Sequence, residues 1–293
     1  MIGVPSSAGA FAVGQELAPS ALRAAGLIER LRAVCPDVED LGDSPMIRWH
    51  PDREHPRAQN LDTVVDQVWT TSVRVNVALE AGRTALVLGG DCTVGIGTVA
   101  GALSTFGSIG LVYFDLHADM NTPESVIDGA LDWTGLAHML ALEGTEPALA
   151  SAVLPAPLLA ASDVVLFAHG EANATDWERE QIARIGMRRI PVEDVASEPI
   201  EAARQACGLV EAGHDRFVVH LDLDVIDFTD APLSENTGRN TGLPLDTAMT
   251  AVRELVASKK MAALTVCELN PEHARAEEGL LERFAASLAE VWA

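Results

Sequence analysis

The chain has 293 residues, 48% of them hydrophobic, with 23 Gly and 15 Pro, which is long enough to bury a substantial core. Its 20 Lys and Arg stand against 43 Asp and Glu, a net charge of −23 that disfavours nucleic acid and anionic membrane as partners and suits cationic small molecules. No stretch approaches the ~18 unbroken apolar residues of a membrane span, and the first residues lack a basic, apolar secretory signal, so a cytoplasmic location is expected.

In chain order, the β-rich runs predict strands at 1–5, 84–88, 109–114, 164–168, 189–192, 217–223 and 262–268. Most are apolar throughout, as strands covered on both faces should be. Amphipathic stretches predict helices at 20–32, 61–81, 175–185, 200–212, 245–258 and 272–292, with start signals at Pro19-Ser20, Thr175-Asp176 and Pro271-Glu272. Residues 43–59, rich in Pro, His, Asp and Arg, read as a surface excursion. This alternation is the pattern of βα units around a parallel sheet, and residues 1–293 are expected to form one α/β domain.

Cys35, Cys92, Cys207 and Cys267 form no C-x-x-C pair, so neither a disulfide framework nor a structural zinc site is indicated. Three of them, Cys35, Cys207 and Cys267, are expected to be core fillers. Cys92 has different company. It ends Gly89-Gly90-Asp91-Cys92, and two further acidic segments follow strands in the same way: Asp115-Leu116-His117-Ala118-Asp119 and Asp222-Leu223-Asp224. Side chains alternate along an extended chain, so Asp115, His117 and Asp119 project from one face, and the ends of parallel strands are where ligands bind. Four carboxylates held that close repel unless cations neutralise them, which calls for about two divalent ions. Oxygen-rich ligation with one imidazole favours Mn²⁺ over softer metals. Singly, each segment is also readable as a turn or a helix cap. In combination they point to a metal site.

These segments resemble those of the ureohydrolases, the arginase and agmatinase family, which shares a fold with the histone deacetylases. Ile2-Gly3-Val4-Pro5 with Ala18-Pro19-Ser20-Ala21-Leu22-Arg23 and Gly26-Leu27 is similar to the family's first strand and helix. The run from Phe114 to Pro123 resembles its Asp-Ala-His-x-Asp segment continuing into Asn-Thr-Pro, and Glu268-Leu269-Asn270-Pro271 its Glu-x-Asn-Pro. The resemblance implies a three-layer α/β/α fold with a mainly parallel central sheet, and a binuclear manganese centre that activates water for attack on a guanidinium carbon. The products would be urea, or a urea analogue, and an amine. Carried over by position, Cys92, Asp115, Asp119 and Asp222 would hold one ion, and Asp115, His117, Asp222 and Asp224 the other. Glu268 would orient the guanidinium, and a trimer or hexamer of identical chains is implied.

The chain makes four departures from the family pattern. Cys92 stands where most members have His. Its softer thiolate opens the site to Zn²⁺ or Fe²⁺ and resembles relatives that hydrolyse N-omega-hydroxyarginine. In Asp128-Gly129-Ala130-Leu131-Asp132-Trp133, Asp132 takes the place of the histidine that shuttles protons in arginase; Asp132 or His138 is left for that role, although His138 reads as readily as a helix-surface residue. Asn121 is retained where arginase contacts the amino acid's carboxylate, but Val126 and Asp128 replace two hydroxyl donors. Finally, Asp227-Phe228 replaces Asp-Pro, followed by an altered turn at 236–242. The expected activity is metal-dependent cleavage of the guanidino group of arginine or a modified arginine. Alternatives are an agmatinase-like or other guanidino-acid hydrolase, a one-metal deacetylase on the same fold, and a non-catalytic metal-binding member.

Overall fold

The computed structural model describes residues 1–275 and 277–293. Among the described residues seven strands, β1 (Ile2–Gly3), β2 (Ala85–Leu88), β3 (Gly110–Phe114), β4 (Val164–His169), β5 (Arg188–Pro191), β6 (Phe217–Asp222) and β7 (Met261–Cys267), form one sheet in the order β1-β2-β7-β6-β3-β4-β5. Every pairing is parallel. Each strand lies at its predicted place; β1 is shorter than predicted because beyond Gly3 the chain turns out over the sheet end, where Ser7 N–H donates to Ile47 O at 3.0 Å.

Alternation along the strands feeds two cores. Leu86, Leu88, Val112, Phe114, Val219 and Leu221 point into one, while Val87, Leu111, Tyr113, Val218 and Cys267 point into the other. The first is closed by α1 (Ala18–Ala24), α2 (Leu27–Val34), α8 (Val192–Ser197), α9 (Pro199–Glu211), α10 (Leu245–Val256) and α12 (Leu280–Glu290). The second is closed mainly by α3 (Leu61–Glu80) and α4 (Val94–Phe106), with α5 (Gly135–Met139) and α6 (Pro147–Ala150) at its margin. The result is the expected three-layer α/β/α arrangement.

Helix boundaries are where sequence and structure differ. The predicted helix at 20–32 is two helices, because Gly26 takes a left-handed φ of 80° between α1 and α2. The predicted helix at 272–292 is likewise divided into α11 (Pro271–Ala274) and α12, with Gly279 at φ 79° preceding the second; the part that falls on residue 276 lies outside the described residues. Helix α4 has no sequence prediction behind it. Val94 to Leu103 are buried all round the helix, so no polar face supplies a 3.6-residue period. Helix α7 (Asp176–Ile185) begins as its sequence suggests: Thr175 accepts from Glu178 N–H at 3.2 Å while the Glu178 carboxylate accepts from Thr175 N–H at 2.9 Å.

Candidate metal centre and cavity

Four neighbouring strands, β2, β7, β6 and β3, run parallel in close register: Leu88 pairs with Val266, Val266 with Leu221, and Leu221 with Phe114. The residues that follow them therefore emerge side by side at the carboxyl edge of the sheet. This brings Cys92, Asp115 to Asp119, Asp222 to Asp224 and Glu268 to one place, as parallel geometry requires.

Backbone hydrogen bonds fix the carboxylates before any ion is considered. Asp115 Oδ1 accepts from His117 N–H at 2.7 Å and Asp222 Oδ1 from Asp224 N–H at 2.7 Å, so each aspartate keeps its second oxygen for other use. Asp119 holds a left-handed φ of 49°, and its Oδ2 accepts from the buried Tyr113 hydroxyl at 2.5 Å. Glu268 is also left-handed, at φ 67°. A left-handed backbone at two non-glycine side chains of one site is strain that the surrounding packing sustains. Between β2 and α4, Gly90 lies so close to the Ser6 backbone that an added Cβ would stand 1.7 Å from Ser6 O. Asp91, fully buried, accepts from Gly9 N–H at 3.1 Å and Thr93 N–H at 3.0 Å. It shapes the turn that presents Cys92, and takes no place among the ligand atoms.

Two groups of potential ligands result. Cys92, Asp115, Asp119 and Asp222 have ligand atoms all within 4.8 Å of one another, and Asp115, His117 and Asp224 form a second such group. Asp115 belongs to both. Asp222, which the resemblance assigns to both ions, belongs here to the first; its Oδ2 accepts from the Cys92 thiol at 3.1 Å. Asp115 Oδ2 and Asp224 Oδ1 are buried with no hydrogen-bond partner among the described residues. Orphaned anionic oxygens at such depth are costly unless an ion satisfies them, and the donor set suits divalent cations.

Electrostatics tell the same story. Burial, with the nearby Asp224 carboxylate, pushes Asp115 up to about 7. Asp119 and Asp222 rise well above the ordinary carboxylate range, again chiefly from burial and then from neighbouring carboxylates. For His117 burial acts downward, but Asp224 at 2.8 Å and Asp115 at 3.6 Å outweigh it and the net shift is well upward. Burial also pushes the Cys92 thiol well up. Protons thus occupy the cluster where positive charge is needed.

Above the cluster lies a cavity of about 550 Å³ lined by Cys92, His117, Asp119, Asp222, Asp224, Glu268, Asp132 and Asp128, with Phe11, Trp133, Glu235 and His273 among its other walls. Glu268 Oε1 accepts from Cys92 N–H at 2.8 Å and Oε2 from the Gln15 carboxamide at 3.1 Å, which fixes the plane of its carboxylate. Asp132 sits in a short 3-10 turn beside the cavity, its Oδ1 accepting from Trp133 N–H at 2.9 Å. Burial, then the charge of Asp91, holds its carboxyl well above the usual range. Asp128 is an exposed part of the rim.

Two sequence readings change. Asn121 lies behind the lining, where its Oδ1 accepts from the hydroxyls of Ser125 at 3.3 Å and Thr175 at 3.0 Å; it ties the 121–125 turn to the start of α7. His138 is no surface residue: it is fully buried, with Nδ1 2.8 Å from Thr134 O and Nε2 accepting from Glu146 N–H at 3.0 Å. Both nitrogens brace the turn around α5, and burial lowers its pKa to about 4. Sequence reasoning also missed several supporting groups: Gln15 on Glu268, Tyr113 on Asp119, and Asn236, which donates to Asp224 Oδ2 at 3.2 Å. None has a motif of its own, and only the fold brings them within reach. Phe228, which replaces the family's proline, stacks edge-on against His273 at 5.5 Å and so shapes one wall.

Comparison with known proteins agrees with this geometry. The chain is 30% identical over 287 residues to an arginase of Bacillus caldovelox, covering 92% of this chain and 90% of the relative. It is 33% identical over 235 residues to an arginase of Brevibacillus brevis, covering 79% and 77%. The native structure of the Bacillus caldovelox arginase at pH 5.6 superposes with a TM-score of 0.87 at 28% identity, covering 99% of this chain and 96% of that one. The Arginase family matches residues 1–291, nearly the whole length, and the chain belongs to that family.

Proposed function

We propose that the protein is a metal-dependent amidinohydrolase that cleaves the guanidino group of arginine or of a modified arginine such as N-omega-hydroxyarginine. The observation that carries the reading is the pair of ligand groups, buried but for the half-buried His117, that share Asp115 at the floor of an acidic cavity. Two divalent ions, Mn²⁺ by the oxygen-rich donor set, with Zn²⁺ or Fe²⁺ admitted by Cys92, would supply Lewis acidity and a water acidic enough to act as nucleophile near neutrality. Cys92, Asp115, Asp119 and Asp222 would hold one ion and Asp115, His117 and Asp224 the other, with Asp222 the candidate second bridge.

The chain's own residues divide the remaining work. Glu268, held by Cys92 N–H and Gln15, presents a fixed carboxylate to the guanidinium through charge-assisted hydrogen bonds. Asp132, whose carboxyl stays protonated to unusually high pH, donates the proton that the departing amine requires. Asp128 offers an acceptor at the rim. The presence of a second ligand group counts against a one-metal deacetylase.

A second substrate reading is favoured by one observation: no Lys or Arg lines the cavity among the described residues, while Asp128, Glu178 and Glu235 do. A substrate carboxylate would meet like charge there, so an agmatine-like guanidine, cationic and without that carboxylate, fits the walls better than arginine bound in the arginase manner. The test is turnover of arginine, N-hydroxyarginine, agmatine and guanidinobutyrate by the manganese-loaded protein, with amine and urea or hydroxyurea quantified together. Turnover of any one supports the class and selects the pocket reading. No turnover with about two ions per chain moves the substrate outside this set, and no metal retention leaves a non-catalytic family member as the reading. We extend the proposal to a homo-oligomer, trimer or hexamer, on the resemblance; sedimentation velocity measures it.

A further inference from the structure

A third constellation lies beneath the carboxylate cluster. Cys92, His220 and Cys267 have ligand atoms within 4.8 Å of one another, and all three residues are buried. Sequence reading gave Cys267 a filler's role and His220 none. The fold aligns them: His220 of β6 is in register with Thr265 of β7, two residues before Cys267, and alternation turns both His220 and Cys267 toward the α4 face. His220 stacks on Tyr113 of β3 with ring centroids 4.5 Å apart and a 13° interplanar angle, which fixes the imidazole plane. Its Nε2 then faces Cys92 Sγ at 3.3 Å.

Two glycines make the space. An added Cβ at Gly95 would stand 2.4 Å from His220 Nδ1, and one at Gly89 would stand 2.7 Å from Cys267 Sγ. A tetrahedral ion with sulfur at ~2.3 Å and imidazole nitrogen at ~2.1 Å separates those two ligand atoms by about 3.6 Å, close to the separation found. Two sulfurs and one nitrogen form a soft donor set, unlike the oxygen-rich groups above it.

We propose that Cys92, His220 and Cys267 form a second kind of metal site, selective for a thiophilic ion such as Zn²⁺, which shares the Cys92 sulfur with the carboxylate cluster. Loading displaces two protons to solvent, one from each thiol, and forms two metal–sulfur bonds and one metal–nitrogen bond. Because one sulfur serves both sites, a thiophilic ion in the lower pocket draws Cys92 away from Asp115, Asp119 and Asp222. The inference does not depend on which guanidine, if any, is the substrate.

X-ray absorption at the zinc edge tests it on the unaltered protein given one equivalent of Zn²⁺. The expected result is two sulfur scatterers per zinc at about 2.3 Å. One sulfur or none would mean that Cys92 serves the carboxylate cluster alone, and would overturn the proposal, as would failure to retain zinc. Cobalt substitution gives a second readout that needs no activity: the sulfur-to-cobalt charge-transfer band should lose about half its intensity in Cys267→Ala and persist in Asp224→Asn. A band unchanged in Cys267→Ala would also refute the site.

Discussion

Asp115 is the residue on which the two ligand groups converge, so its removal should differ in kind from removal of a ligand confined to one group. Asp115→Ala is expected to lose both ions, whereas Asp224→Ala should retain about one per chain; inductively coupled plasma spectrometry on dialysed protein decides this. Retention of two ions by Asp115→Ala would end the shared-ligand reading. Asp132 makes a separate prediction. If its protonated carboxyl supplies the leaving amine, Asp132→Asn should lower kcat by roughly 10²–10⁴-fold on an alkylguanidine while leaving metal content unchanged. The raised pKa sets the sign: activity depending on the acid form is lost as pH rises through that pKa, and the alkaline limb of the wild-type profile should vanish in the variant. At this scale much of the site was legible, because Asp115, His117, Asp119, Asp222 and Asp224 carry their alternation in the sequence. Cys267 and His220 were not, since an isolated Cys or His within an apolar strand looks like core until neighbouring strands are placed.

At the scale of elements, the turn between β2 and α4 does the most with the least sequence signal. Gly90 admits the Ser6 backbone, whose carbonyl accepts from Asp91 N–H at 2.9 Å, while Gly90 O accepts from Glu268 N–H at 2.8 Å. Three chain segments meet at this residue. Gly90→Ala forces backbone against backbone, and a cost of about 1–3 kcal/mol is expected from overpacking, together with weakened metal retention as Cys92 and Glu268 shift. Gly208 is the control: it lies within α9, with nothing beyond its own helix turn within 4 Å of an added Cβ among the described residues, so Gly208→Ala should stabilise by about 0.5–1 kcal/mol. Urea unfolding of both variants measures the contrast, and equal effects would remove the special role given to Gly90. Strands were the easier elements to read because short apolar runs bounded by Gly and Asp have few other uses in an α/β chain. Helix α4 was missed for the opposite reason: complete burial erases the polar face that periodicity needs, and its Gly95, Gly97 and Gly101 lower helix propensity while admitting close packing against His220, Thr71 and Ser72.

For the whole molecule, a net charge of −23 and a buried acidic cluster make stability a function of both pH and metal. Burial raises Asp115 to about 7, and raises Asp119, Asp222 and Glu268 well above their ordinary values, so without metal these four groups hold more protons in the fold than in the unfolded chain. A carboxyl whose folded pKa is raised contributes stability that is complete below its unfolded pKa near 4 and is lost as pH rises through the folded value. Metal-free protein should therefore melt at lower temperature at pH 8 than at pH 6.5; below that, His138, His169 and His220, lowered by burial to about 4, 4 and 3, oppose the trend because the unfolded chain takes up their protons. His117 adds to the trend: its pKa is raised in the fold, so its favourable charge pairing is likewise lost as pH rises. Metal binding reverses the slope, because the ions require the deprotonated ligands and compete with these same protons. Affinity for Mn²⁺ should then increase across the Asp115 titration near pH 7, and at pH 8 loaded protein should be more stable than metal-free protein, and so melt higher, by RT ln(1 + [L]/Kd) of free energy per site, about 2.7 kcal/mol at a hundredfold excess over Kd. Differential scanning calorimetry at pH 5, 6.5 and 8, with and without Mn²⁺, measures both slopes. If the metal-free melting temperature rose from pH 6.5 to pH 8, or if Mn²⁺ stabilised equally at pH 5 and pH 8, the cluster would not be held together by protons exchanging for cations.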